Sequence, residues 1–247
     1  MGRFWGWMAA TLLVALSVPT VAQAAYFPTG WDDDVTVDKD DVGMNFVVDF
    51  SGKANDNYTS NLSALGSFTY TGLSNNGLTY NFNYTLTNDS NYDSRIRAFG
   101  FDTGPSNPAS VVGNSGFTYE YQNVGFIESV GTMDVCLAAG SGCTQHASGG
   151  INDGASMNGS FSLTFANVME SVDFDHFALK FISVNPTVNG QDWGAGLGRI
   201  TSITPGAGSD PITAPEPETW MMMLLGFGLV GSAMRRRGSI ALYPQVA

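Results

Sequence analysis

Residue types able to do chemistry are few in this chain, and they are unevenly placed. Cys136 and Cys143 enclose the Gly-rich stretch Leu137-Ala138-Ala139-Gly140-Ser141-Gly142. In an oxidising compartment two thiols this close suit a disulfide, worth about 2.5 kcal/mol for a closed loop of roughly eight residues. Zinc would need further ligands, and His146 alone does not complete a four-ligand set. The other histidine, His176, stands in the strand-like run FDHFALKF beside Asp173 and Asp175. Alternation sends it to the face opposite Phe177, so it reads as structural. Carboxylates are densest at Asp32, Asp33, Asp34, Asp38, Asp40 and Asp41. Clustered hard oxygens are what Ca²⁺ requires, and Asp32, Asp34, Asp38 and Asp40 are the candidates. The EF-hand order fails, because the fifth position from Asp38 is Val42 and the sixth from Asp32 is Val37 instead of glycine. A solvated acidic edge is the simpler reading, and no metal is expected. The run Asn88-Asp89-Ser90-Asn91-Tyr92-Asp93 carries similar oxygens in a turn. Gly113-Asn114-Ser115-Gly116 lacks the G-x-S-x-G elbow and reads as a hairpin turn. Phosphate-binding glycine motifs are absent, as are basic patches with interleaved aromatics. No catalytic residue is assigned and no cofactor is expected, so the chain reads as non-enzymatic.

A second kind of chemistry, proteolytic processing, is written near the C-terminus in APEPETWMMMLLGFGLVGSAMRRR. Pro215, Glu216 and Pro217 form a box in which the prolines lack N–H groups and hold the backbone extended, as a processing enzyme needs its substrate strand. Residues 219–234 carry no charge; as a helix they span roughly 24 Å against a hydrocarbon core of roughly 30 Å. Trp220 and the arginines Arg235, Arg236 and Arg237 can snorkel to make up the difference. The basic cluster is expected on the cytoplasmic side, leaving everything before Trp220 outside.

Box, apolar run and basic stop, in that order, resemble the PEP-CTERM sorting signal of Gram-negative bacteria. The matching residues are Pro215, Glu216, Pro217, Trp220, Gly226, Phe227, Gly228, Gly231 and Arg235 to Arg237. The resemblance covers about a tenth of the chain. It implies that a membrane-embedded exosortase recognises the box, cuts near it and delivers the upstream domain to the cell exterior, often in bacteria that make exopolysaccharide. Met221 departs from the commoner Ala, and residues 238–247 extend past the usual stop. A plain membrane anchor is the alternative for this segment.

At the other end, residues 1–24 read as a secretory signal peptide. Arg3 supplies the positive start, residues 8–18 the apolar segment, and Ala22-Gln23-Ala24 the small-residue site, with cleavage expected between Ala24 and Ala25. The apolar segment is too short for a membrane span and is broken by Pro19. The formal net charge is −12, with twenty acidic against six basic residues between Ala25 and Ala214. Such a chain repels nucleic acid and anionic lipid.

Between the two signals the sequence alternates with period two. Leu78, Tyr80, Phe82, Tyr84 and Leu86 share one face, with Thr79, Asn81, Asn83, Thr85 and Thr87 on the other. Further strands are expected at 44–50, 67–71, 95–102, 116–121, 126–132, 160–166, 174–184 and 197–203. Turn-forming Asn, Asp, Gly and Pro fill the gaps. Many short strands with turns between them predict an all-β fold, an antiparallel β-sandwich of jelly-roll type spanning 25–203. A Pro/Gly linker at 204–214, the sorting signal at 215–237 with its single transmembrane helix, and a tail at 238–247 complete the chain. The stripe Phe82, Phe99, Phe161, Phe165, Phe177 and Phe181 is expected to be core.

The strings YNFNYTLTNDS, SRIRAFGFDT, FDHFALKF and DWGAGLGRI resemble the recurring body of an uncharacterised group of PEP-CTERM proteins, the cistern family. That resemblance implies no known activity. The leading reading is an exported surface or matrix protein whose partners are an exosortase, the inner membrane through the C-terminal helix, and exopolysaccharide. A carbohydrate-binding or carbohydrate-active module, using Trp31, Trp193 and Ca²⁺, is the rival of a different class.

Overall fold

The computed structural model describes residues 33–207, except 56, 128, 129 and 147, together with Phe227. The leader with Ala24 and Ala25, the residues Trp31 and Asp32, and the sorting-signal residues Pro215, Glu216, Pro217, Trp220, Arg235, Arg236 and Arg237 lie outside the described residues. Among the described residues no helix is long and apolar enough to cross a membrane.

Twelve strands follow in order: β1 (Val35–Asp38), β2 (Asn45–Ala54), β3 (Asn57–Ser74), β4 (Thr79–Asn88), β5 (Asp93–Gly104), β6 (Ser110–Asn114), β7 (Tyr119–Gly125), β8 (Thr132–Ala138), β9 (Ile151–Asn152), β10 (Ser156–Thr164), β11 (Ser171–Asn185) and β12 (Gly194–Thr204). Alternation builds them. In β4, Tyr80, Phe82, Tyr84 and Leu86 are buried while Asn83 and Thr85 are exposed, which is what a strand with one apolar face must do.

All pairings are antiparallel and form one sheet in the order β6-β10-β4-β3-β2-β12-β11-β5-β8-β7, with β1 beside β11 and β9 beside β5. One continuous ladder curls around the core where two stacked sheets were expected, so the domain is a near barrel. Its end strands β6 and β7 meet without a shared backbone ladder. Instead the Gly113 N–H donates to Glu120 Oε1 at 2.9 Å, so a side chain occupies the place of a closing strand pair. The long strands make this curvature possible, and the turn chemistry that predicted short ones missed their length. β3 runs through eighteen residues where five were expected, with one register shift against β2 between Ser51 and Gly52 and another against β4 between its own Tyr70 and Gly72. Such bulges raise local twist and let a sheet coil.

The interior is aromatic. Phe82 stacks on Phe161 at 5.0 Å, and Phe68 from β3 reaches Phe177 from β11 at 5.6 Å across the barrel. All six residues of the predicted stripe are buried. Two glycines of the DWGAGLGRI string make room for these rings. A Cβ on Gly198 would lie 2.7 Å from Phe177 Cβ, and one on Gly196 would lie 2.9 Å from Phe181 Cε2.

One expected strand falls elsewhere. Of the stretch expected at 126–132, only Thr132 is strand, as the first residue of β8; the rest connects β7 to β8, with the Phe126 N–H donating to Gly131 O at 2.7 Å. Its Phe126 and Ile127 are apolar because they are buried in a second, smaller cluster on the outer side of the sheet, with Ala98, Cys136, Ala138, Ala178, Ala195 and Leu197.

Candidate functional site

The outer side of β5, β8, β11 and β12 is covered, and the disulfide loop is part of the cover. Cys136 sits within β8 and bonds to Cys143, with Cα atoms 6.5 Å apart. Both sulfurs are therefore committed, which removes them as zinc ligands. Beneath this loop lie two cations that the sequence reading passed over. Arg97 and Lys180 are both fully buried. Arg97 Nη2 donates to Ser141 O at 3.4 Å and Lys180 Nζ donates to Thr144 O. Burial, reinforced by Arg97, pulls the Lys180 ammonium down to about 8. The available signal was a single lysine inside the otherwise apolar run Phe177-Ala178-Leu179-Lys180-Phe181-Ile182. His146 lies at the rim of the same cover, its ring edge-on to Trp193 at 5.3 Å. Trp193 is half-buried and packs against the outer cluster.

The acidic N-terminal edge does not converge. Asp38 closes β1, and its N–H donates to Asp41 Oδ2 at 3.1 Å, while Asp33 reaches Arg199 Nε at 3.4 Å. Among the described residues, Asp34, Asp38 and Asp40 form no group with a third ligating side chain.

A different set does gather, from β5 and β11. Asp102, Asp175 and His176 bring one ligand atom each within 4.8 Å of one another. His176 Nδ1 lies 3.1 Å from Asp102 Oδ2 and 3.5 Å from Asp175 Oδ1. Asp102 and Asp175 are direct cross-strand partners, and His176 joins them because of a bulge. Between the pairs Asp175–Asp102 and Ala178–Gly100, two residues of β11 oppose one of β5. His176 takes a positive φ of 48°, so Asp175 and His176 both face outward while Phe174 and Phe177 both face the core. In a regular strand two consecutive side chains cannot share a face. The predicted face of His176, opposite Phe177, is the observed one; its companionship with two carboxylates was not foreseen. No spacing rule connects Asp102 to residues some seventy positions later.

A reciprocal pair of hydrogen bonds holds Asp102 in place. The Asp134 N–H donates to Asp102 Oδ1 at 2.9 Å, and the Thr103 N–H donates to Asp134 Oδ2 at 3.0 Å. Asn107 Nδ2 donates to the other Asp134 oxygen at 2.6 Å. Burial pushes the Asp102 carboxyl up, against the N–H of Asp134, which pulls it down.

On the far side of the barrel, β3, β4 and β10 present an outer face without charge. A shallow recess of about 410 Å³ there is lined by Ser67, Thr69, Asn83, Thr85, Asn158 and Ser160, among others. Thr85 Oγ1 donates to Asn158 Oδ1 at 2.7 Å across β4 and β10. The turn expected at Gly113 to Gly116 is present at Ser115 and Gly116, both at positive φ.

Comparison with known families places a PEP-CTERM protein-sorting motif at residues 213–237. The motif implies processing by an exosortase, a membrane protein, and an exported chain. No curated protein and no solved structure matches the sequence.

Proposed function

We propose that this chain is a non-enzymatic protein of the cell surface or extracellular matrix, a member of the cistern group, whose β-domain is the cargo of the sorting signal. The single observation that carries the reading is the matched motif at 213–237, downstream of the whole strand-rich domain. In this reading residues 1–24 start export, with cleavage between Ala24 and Ala25. Residues 219–234 hold the precursor in the inner membrane, with Arg235, Arg236 and Arg237 as the cytoplasmic stop. The linker supports it physically. Past Ala207, whose N–H still donates to Val42 O at 2.8 Å, residues 208–218 include Pro211, Pro215 and Pro217, so in extended form they reach roughly 34 Å and hold the domain clear of the bilayer.

The test is Pro215→Ala, Glu216→Ala and Pro217→Ala together, expressed in a host that contains an exosortase. The expected result is a membrane-bound precursor of nearly full length that keeps a C-terminal tag, while wild type loses the tag and reaches the surface. A triple variant that reaches the surface untagged as well as wild type does would reduce the segment to an anchor.

The uncharged recess over β3, β4 and β10 favours a second reading, a module that binds neutral exopolysaccharide through hydroxyl and amide groups. Retardation of the protein in gels containing neutral exopolysaccharide, abolished by Asn158→Ala with Thr85→Ala, is the expected result. Equal mobility with and without polysaccharide would remove this reading.

A further inference from the structure

We infer that Asp102, Asp175 and His176 form a binding site for a divalent first-row transition ion on the outer face of the β5–β11 pair.

The ligand set is one imidazole nitrogen and two carboxylates, suited to Mn²⁺, Co²⁺ or Zn²⁺. Calcium asks for six to eight oxygens and is poorly served by one nitrogen and two carboxylates. With metal–ligand bonds of about 2.1 Å, two ligand atoms stand about 3.0 Å apart at a right angle and about 3.6 Å apart at 120°. His176 Nδ1 stands 3.1 Å from Asp102 Oδ2 and 3.5 Å from Asp175 Oδ1, inside that range on both sides. The three side chains are 26–38% exposed.

The support is built into the fold. The bulge in β11 turns His176 onto the same face as Asp175, which an unbroken strand forbids. Asp102 Oδ1 is occupied by the Asp134 N–H, which leaves Oδ2 directed at His176. Asp134 is itself fixed by Thr103 and Asn107. Partners of this kind orient a ligating carboxylate and keep its charge close to the ion. The local charge is negative, since Asp102, Asp134 and Asp175 surround one histidine, and a bound cation neutralises it. The hydrogen bond between His176 and Asp102 is the competing arrangement, because Nδ1 cannot hold a proton and an ion together. The inference stands independently of the sorting signal.

The test uses the full chain, purified in detergent with a tag free of histidine, stripped with chelator, and dialysed against ZnCl₂ or MnCl₂ alone. Wild type is expected to retain one ion per chain. Asp175→Asn and His176→Gln should each weaken retention at least tenfold, and His146→Gln, at the rim of the disulfide cover, should leave it unchanged. Asp102→Asn removes the third ligand, and if it disturbs the β5–β8 link the half-exposed Asp175→Asn still decides the matter. Far-UV circular dichroism checks that each variant keeps its strands. Wild type that binds neither ion, or binds no better than His176→Gln, would overturn the site, as would retention lost with His146→Gln instead.

Discussion

Strands β4 and β11 lie in one sheet and contribute rings to one core, yet they bury different numbers of faces. β4 buries Tyr80, Phe82, Tyr84 and Leu86 inward and leaves Asn83 and Thr85 in water. β11 is buried continuously from Phe177 to Ile182, because the disulfide loop and the second apolar cluster lie over its outer side. The difference shows what a cover does. Over β4 polar side chains satisfy one another or water at little cost, whereas over β11 even Lys180 and Arg97 are taken out of solvent and must find loop carbonyls.

The sharpest way to break this contrast is to loosen the cover. Cys136→Ser with Cys143→Ser should lower the stability of the full chain by about 2.5 kcal/mol. Denaturant unfolding with and without reductant checks it, since reductant should bring wild type to the level of the variant and leave the variant unmoved.

Titration of Lys180 sharpens it next. Its folded value of about 8 lies below the ordinary lysine value of 10.5. The folded state therefore sheds the proton first, and the unfolded state binds more protons between the two values, so stability rises with pH across that window. Wild type should gain about 2 kcal/mol between pH 7 and pH 9.5 relative to Lys180→Met. Parallel pH profiles for the two proteins would mean that the lysine is hydrated and the cover is open.

On the uncovered side the expected effect is the smallest. Thr85→Ala with Asn158→Ala removes a cross-strand hydrogen bond of 2.7 Å at an exposed position and should change stability by no more than about 0.5 kcal/mol. A loss as large as that of the disulfide variant would show that the polar face is held as tightly as the covered one.

Much of the architecture was legible because strand periodicity is local. The inward set of β4, the strand nature of β2, β5, β10, β11 and β12, and the burial of the phenylalanine stripe follow from which residues alternate. The disulfide was legible for the same reason, its partners lying only seven positions apart in the chain. The short strands β1, β6 and β9 carry too few residues to establish a period. The connection at 126–131 was mistaken for strand because its apolar residues answer to a cluster contributed by β5, β8, β11 and β12.

The sequence by itself determined the strand-forming pattern, the cystine and the sorting motif at 213–237, because each is encoded within a few neighbouring residues. Only the tertiary structure decided that the strands join in one near barrel, that Lys180 lies buried beside Arg97, and that Asp102 meets Asp175 and His176. Those outcomes depend on strand order, on the reach of a loop and on one bulge in β11. Each brings together residues far apart in the chain, and periodicity carries no record of which strands will become neighbours.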